Sequence, residues 1–239
     1  VRNADGVVRI LTNHHVVGPV SDEVYVQFAS ASVAQKVAVI GRDPVVDLAL
    51  LEAPQPLPIR ATPVPIADHA SIGERVFAIG FPSGNWNVTT GFVTSLATPL
   101  EEFGVGTYFT HQAPISPGSS GGGLVRIRSG SPELLGINTL VAVTAAKIIT
   151  NLGYSIKPDV IKRVMGRMES EKVVAHAYAG FVVADSKRMN PYQYADITKR
   201  PYPPSRDDIV VLQVVPASPS AGAGLLPGHG RSGSLSRRG

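Results

Sequence analysis

Ile115-Ser116-Pro117-Gly118-Ser119-Ser120-Gly121-Gly122-Gly123-Leu124 is the stretch on which the reading of this chain turns. Glycines bracket a pair of serines. A serine hydroxyl is a weak nucleophile until a base takes its proton. The carbonyl it attacks becomes an oxyanion, which needs donors fixed before the reaction starts. Glycine lets a tight loop turn its N–H groups inward and lets a substrate come close. In this loop the N–H groups of Gly118 and Ser120 are the candidate oxyanion donors. Taken alone, such a loop can equally be a plain turn or a phosphate cradle, although the lysine of a nucleotide-binding loop is missing.

Two upstream segments give the serine its context. Leu11-Thr12-Asn13-His14-His15-Val16-Val17 supplies a base, and Asp43-Pro44-Val45-Val46-Asp47-Leu48-Ala49-Leu50-Leu51 supplies a carboxylate. Read as a strand, the His14-His15 pair would point its two rings to opposite faces, so one of them at most would face the site. Asp47 directly precedes an apolar run. Its carboxylate is therefore expected to be partly buried, and a buried carboxylate needs a partner such as an imidazole N–H. Each segment alone has an ordinary explanation, a surface histidine pair or a strand-start aspartate. Their order, His then Asp then Ser, is what gives them weight.

Composition bounds the rest. The 239 residues are 44% hydrophobic, with 24 glycines and 20 prolines, a globular balance broken by many turns. Short apolar runs separated by turn residues predict a mostly β chain. Pro158 to Met168 is the clear amphipathic helix, with Val160, Ile161, Val164, Met165 and Met168 on one face. The stretch between strands at Phe181–Val183 and Ile209–Val215 reads as a long polar loop. Cysteine is absent, so disulfides, thiolate metal sites and a cysteine nucleophile are excluded. No apolar run is long enough to span a membrane as a helix. The net charge is +4, and Arg231, Arg237 and Arg238 of the tail carry most of it. That leaves no basic face for a nucleic acid. No cofactor is implied. A metal-dependent hydrolase built on His14, His15 and His111 lacks a recognisable ligand spacing.

Taken together, the three segments resemble the trypsin-like serine proteases, and within them the HtrA/Deg branch. Ala78-Ile79-Gly80-Phe81-Pro82-Ser83-Gly84, Leu135-Gly136-Ile137-Asn138-Thr139 and Leu152-Gly153-Tyr154-Ser155-Ile156 extend the resemblance over most of the chain. It implies an all-β, two-barrel protease fold and a serine endopeptidase acting on unfolded or damaged proteins outside the cytoplasm, in the periplasm or an equivalent space. His15 becomes the general base, Asp47 its orienter and Ser120 the nucleophile, because Ser120 rather than Ser119 precedes the paired glycines. Ile137, Asn138 and Thr139 are expected to line the first substrate pocket. Nothing acidic is evident there, which favours small or medium apolar side chains over Lys or Arg. Ser119, Gly123 and Ser116 depart from the family pattern, and Gly123 is expected to loosen the loop end. A homotrimer is typical of the family.

Residues 1–172 are accordingly expected to form the protease domain, with N-terminal strands missing. Within it the reading places a first barrel at about 1–52, a linker at 53–72, a second barrel at about 73–156 and a helix at 157–169. Residues 173–228 resemble part of a PDZ domain (α+β), with Ala179, Gly180, Phe181 and Val182 matching its carboxylate-binding loop. That implies a C-terminal peptide ligand. Residues 229–239 are expected to be a disordered basic tail. A catalytically silent, chaperone-like peptide-binding module using the same cleft is the alternative reading.

Overall fold

The computed structural model describes residues 1–18, 23–28, 32–54, 56–57, 62–96, 108–144, 147–186, 189–199, 201 and 208–232. The chain forms two compact units, Val1–Ala175 and His176–Gly239.

The first unit is mostly β. Strands β1 (Arg9–Thr12), β2 (Glu23–Val26), β3 (Gln35–Asp43) and β4 (Leu48–Glu52) make an antiparallel sheet in the order β1-β4-β3-β2. β1 lies at an edge of this sheet. Part of that edge is covered, because Val1 and Arg9 exchange backbone hydrogen bonds and Arg2 bridges Val8. The short helix α1 (His14–Val17) follows β1 directly. His14 and His15 are therefore helical neighbours, and the opposite-face argument for a strand does not apply to them.

Six strands close into a barrel in the order β10-β7-β6-β5-β8-β9. They are β5 (Arg75–Gly80), β6 (Asn87–Ser95), β7 (Tyr108–His111), β8 (Gly123–Arg128), β9 (Ser131–Thr144) and β10 (Lys147–Ile156). Closure pairs β10 with both β7 and β9, so the barrel has no terminal strand, while β9 beyond Ile137 is paired to β10 alone among the described residues. The segment leading into the barrel is tied to β9, with Ala67 N–H donating to Leu134 O and Leu134 N–H to Pro65 O at 2.9 and 2.8 Å.

Helix α2 (Pro158–Ser170) buries the apolar stripe read from its spacing. Val160, Ile161, Val164 and Met168 join Leu48 and Leu50 of the first sheet and Tyr108, Ile137 and Ile156 of the barrel in one core. Gly41 on β3 makes this approach possible, since a Cβ there would press into the Met168 carbonyl. The helix thus locks the sheet carrying His15 and Asp47 to the barrel carrying Ser120.

The second unit holds a sheet in the order β11-β12-β13, from β11 (Phe181–Asp185), β12 (Asp208–Val214) and β13 (Gly230–Ser232). Two expectations are corrected here. The polar stretch after β11 contains a helix, α3 (Pro191–Thr198), opened by a capping box. Asn190 Oδ1 accepts from Gln193 N–H at 2.9 Å, and Gln193 Oε1 accepts from Asn190 N–H at 3.4 Å. The start of the expected disordered tail is strand β13, held by backbone pairing to β12. Residues 233–239 of that tail lie outside the described residues. A short turn of helix, α4 (Pro219–Gly222), is capped by Ser218.

Candidate active site

The His15–Asp47 pair is built by two local devices. Asp43 Oδ1 accepts from the N–H groups of Val45 and Val46 at 3.1 and 3.0 Å, which folds residues 44–47 into a turn. The turn ends with Asp47 at φ 63°, a left-handed conformation that Asp and Asn adopt more readily than other side chains. That conformation aims the carboxylate at α1. Asp47 Oδ2 lies 2.7 Å from His15 Nδ1, and Oδ1 accepts the His15 backbone N–H at 2.9 Å. The Asp47 side chain is 10% exposed and the His15 side chain 48%. Asp47 is thus shielded, while the imidazole keeps a face toward solvent. With Nδ1–H donating to a carboxylate, Nε2 is the nitrogen left to accept a proton.

Asn13 ties this pair to the barrel. Its Nδ2 donates to Asp47 O and to Thr139 Oγ1, both at 2.9 Å. Burial, then the Asp47 and Asp43 charges, push the Tyr108 phenol well above its ordinary pKa. It therefore stays a neutral donor, 3.4 Å from Val46 O.

The serine loop separates its two serines by role. Ser119 is 7% exposed and its Oγ accepts the Ser116 N–H at 3.2 Å, so it holds the loop together. Ser120 is half-buried, and its Oγ donates to the Thr139 carbonyl at 3.2 Å. No hydrogen bond joins Ser120 to the His15 ring among the described residues. The backbone is equally divided. The N–H groups of Ser119, Gly121 and Gly122 donate to Ser116 O, Asn138 O and Ser119 O at 2.8, 2.9 and 3.1 Å. Those of Gly118 and Ser120 find no acceptor among the described residues. Gly118 sits at φ 95° and Gly121 at φ 80°, where a side chain is strained. A Cβ at Gly121 would also press into Thr12 Oγ1. The loop end is not loose at Gly123, because Asn138 N–H donates to Gly122 O at 2.9 Å and β8 pairs with β9 from Gly123 onward.

Ile137, Asn138 and Thr139 are 2%, 0% and 4% exposed. Ile137 packs in the core, and the Asn138 and Thr139 side chains are engaged in hydrogen bonds. What this segment offers Ser120 is main chain, the Thr139 carbonyl. Sequence reasoning missed the polar chain beneath it. Ser155 Oγ donates to Asn138 Oδ1 at 3.0 Å and lies 3.1 Å from His111 Nε2. Gly153 makes room for the ring, since a Cβ there would sit 2.8 Å from His111 Nε2 and 3.1 Å from Ile115 Cδ1.

Burial holds the fully enclosed His111 ring down at a pKa of about 4, from an ordinary 6.5. Folding therefore favours the neutral ring. The stability it contributes is complete above pH 6.5 and declines as the pH falls toward 4, because the unfolded chain takes up a proton that the folded chain refuses. His111→Gln is expected to flatten the fall in stability across that window by about 1.4 kcal/mol per pH unit. Urea unfolding at a series of pH values measures it, and an unchanged slope would remove His111 from the account.

The trypsin-like peptidase domain family matches residues 1–137. Periplasmic serine endoprotease DegP of Salmonella typhimurium is 28% identical over 221 residues, covering 92% of this chain and 44% of the relative. The chain spans about half the length of the curated relatives it matches. Among solved structures, the HtrA-type protease AlgW with a decapeptide aligns at a TM-score of 0.68 and 27% identity, over 95% of this chain and 66% of that one. AlgW with a tripeptide aligns at 0.69 and 25% identity, over 93% and 70%. With its closed six-stranded barrel and mostly β first unit, the chain belongs to the trypsin-like peptidase family and, within it, to the HtrA/Deg group.

Proposed function

We propose that this chain is a serine endopeptidase that cuts unfolded or damaged proteins, with His15, Asp47 and Ser120 as its triad. The carrying observation is the His15–Asp47 pair at 2.7 Å on a half-exposed imidazole, whose Nε2 has no hydrogen-bond partner among the described residues. In the proposed cycle the Ser120 hydroxyl turns from Thr139 O to His15 Nε2, a rotation on the picosecond to nanosecond scale. Oγ bonds to the scissile carbon as its proton passes to Nε2. The carbonyl oxygen takes the negative charge and accepts from the N–H groups of Gly118 and Ser120. Collapse breaks the C–N bond, and Nε2 returns the proton to the leaving amine. Water then gives a proton to Nε2 as its oxygen bonds to the acyl carbon; collapse breaks the C–Oγ bond, and Nε2 returns the proton to Ser120 Oγ. Asp47 keeps its charge throughout and steadies the imidazolium.

Ile137, Asn138 and Thr139, the segment beside Ser120, bring no carboxylate to it. Small or medium apolar side chains are the proposed preference. Incubation with a reduced, unfolded protein and mass mapping of the products tests this. Cuts after Val, Ala or Ile are expected. Cuts confined to Lys and Arg would contradict the proposed pocket.

The names of the periplasmic relatives support a site of action outside the cytoplasm. Among the described residues no helix is long and apolar enough to cross a membrane. For the second unit the reading is a PDZ-like peptide module taking a C-terminal peptide at Ala179–Val182. Its support is Gly180 at φ 78° directly before β11, a strand at the edge of its sheet. Assembly as a trimer rests on the family resemblance alone.

A further inference from the structure

Phe81 and Trp86 form an aromatic pair on the turn between β5 and β6, with ring centroids 5.3 Å apart and planes at 68°. Nothing inside the fold consumes them. Phe81 is 48% exposed and Trp86 63%, and Val88, two residues along β6, is 61% exposed. Two exposed rings in contact with each other form an apolar patch of the kind that marks interaction sites, and aromatic rings lose little conformational entropy on binding.

The patch adjoins the serine loop. Phe81 N–H donates to Gly118 O at 3.2 Å. A Cβ at Gly118 would lie 2.8 Å from Pro82 Cα and 3.1 Å from Phe81 O. Ser120 is thus flanked by two elements, β9 through Thr139 and this turn through Gly118. In the proposed cycle the carbonyl oxygen of the cleaved bond rests at Gly118. The acyl side of the substrate has the main chain of β9 to run along, leaving the turn for the residues beyond the bond. An extended chain advances about 3.3 Å per residue, so the first residues past the bond run alongside this turn.

From this juxtaposition we infer that Phe81 and Trp86 form a subsite for an apolar side chain on the leaving-group side of the substrate, one or two residues beyond the cleaved bond. This deepens the endopeptidase reading and rests on it. The occupant is the substrate chain itself. An unfolded polypeptide presents the apolar side chains that a folded one hides, so such a subsite would favour unfolded chains over folded ones.

The test uses three substrates with one acyl part: an anilide with no residues beyond the bond, a quenched peptide with Leu at both positions beyond it, and the same peptide with Gly there. Wild type is expected to prefer the Leu peptide to the Gly peptide about tenfold in kcat/KM, the scale of one apolar side chain in a pocket. Trp86→Ala is expected to erase that preference and to lower the ratio of Leu-peptide to anilide kcat/KM by the same factor. Phe81→Ala, which leaves Trp86 in place, should do so in part. A wild type that turns over the anilide but treats the two peptides alike overturns the inference and leaves the endopeptidase reading standing. So does a Trp86→Ala variant that loses anilide and peptide activity equally, since that would be a structural effect on the serine loop. A folded wild type that cleaves none of the three overturns the endopeptidase reading and the subsite with it.

Discussion

Ser120→Ala is expected to lower turnover of any peptide substrate by a factor of about 10⁶, down to the level set by binding and the oxyanion donors. The same change should barely touch stability. Ser120 is half-buried, and its hydroxyl makes one hydrogen bond, to Thr139 O at 3.2 Å, so its loss costs about 1 kcal/mol at most. Ser119→Ala is the contrasting control. It removes the acceptor of the Ser116 N–H at 3.2 Å, leaving a loop donor unpaired while keeping the nucleophile. A steady-state assay beside a thermal melt separates the two. Turnover of Ser120→Ala within tenfold of wild type would contradict the assignment.

Asp47→Asn should cost about 10⁴ in turnover through the tautomer of His15 rather than through the fold. Both carboxylate oxygens are committed to His15, one to the ring and one to the backbone N–H. An amide that keeps an oxygen toward the backbone N–H turns its NH₂ toward Nδ1. Nδ1 must then accept, the proton moves to Nε2, and the nitrogen that should take the Ser120 proton is already occupied. Asn is the right replacement because Asp47 sits at φ 63°, where Asn is at ease and Ala is strained. Substrate binding should be little changed, so the loss should fall on kcat. A loss confined to KM, or a variant with lowered stability and intact kcat, would show that Asp47 serves the turn rather than the base.

The mostly β architecture of this chain was legible in its sequence, and its candidate site was legible as three short segments. His15, Asp47 and Ser120 stand in short segments whose local composition restricts what they can do, and the choice of Ser120 over Ser119 followed from the paired glycines. Helix α2 was legible because its stripe has one period and one buried face. Asn13 was quoted within its motif yet its work was invisible, since it bonds Thr139 across 126 positions. The His111–Ser155–Asn138 chain is hidden for the same reason, its links spanning 44 and 17 positions. Strand β10 contains Asn151 and Gly153, residue types that are uncommon in strands. It is a strand because the barrel supplies partners on both sides, with bulges that absorb the irregularity. Helix α3 did have a local signal, Asn190-Pro191-Tyr192-Gln193, but its tyrosines and low apolar content masked the period. Ile137, Asn138 and Thr139 were expected to line the first substrate pocket, but their side chains turn inward, and it is the Thr139 carbonyl that meets Ser120.

Labelling with a fluorophosphonate probe, followed by mass mapping of the adduct, tests the central claim most directly. The reagent requires an activated serine and a working oxyanion site together, and needs no guess about substrate. The account predicts one adduct, on Ser120, absent from Ser120→Ala and retained in Ser119→Ala. Folded wild-type protein that takes no label, or takes it on another serine, would contradict it.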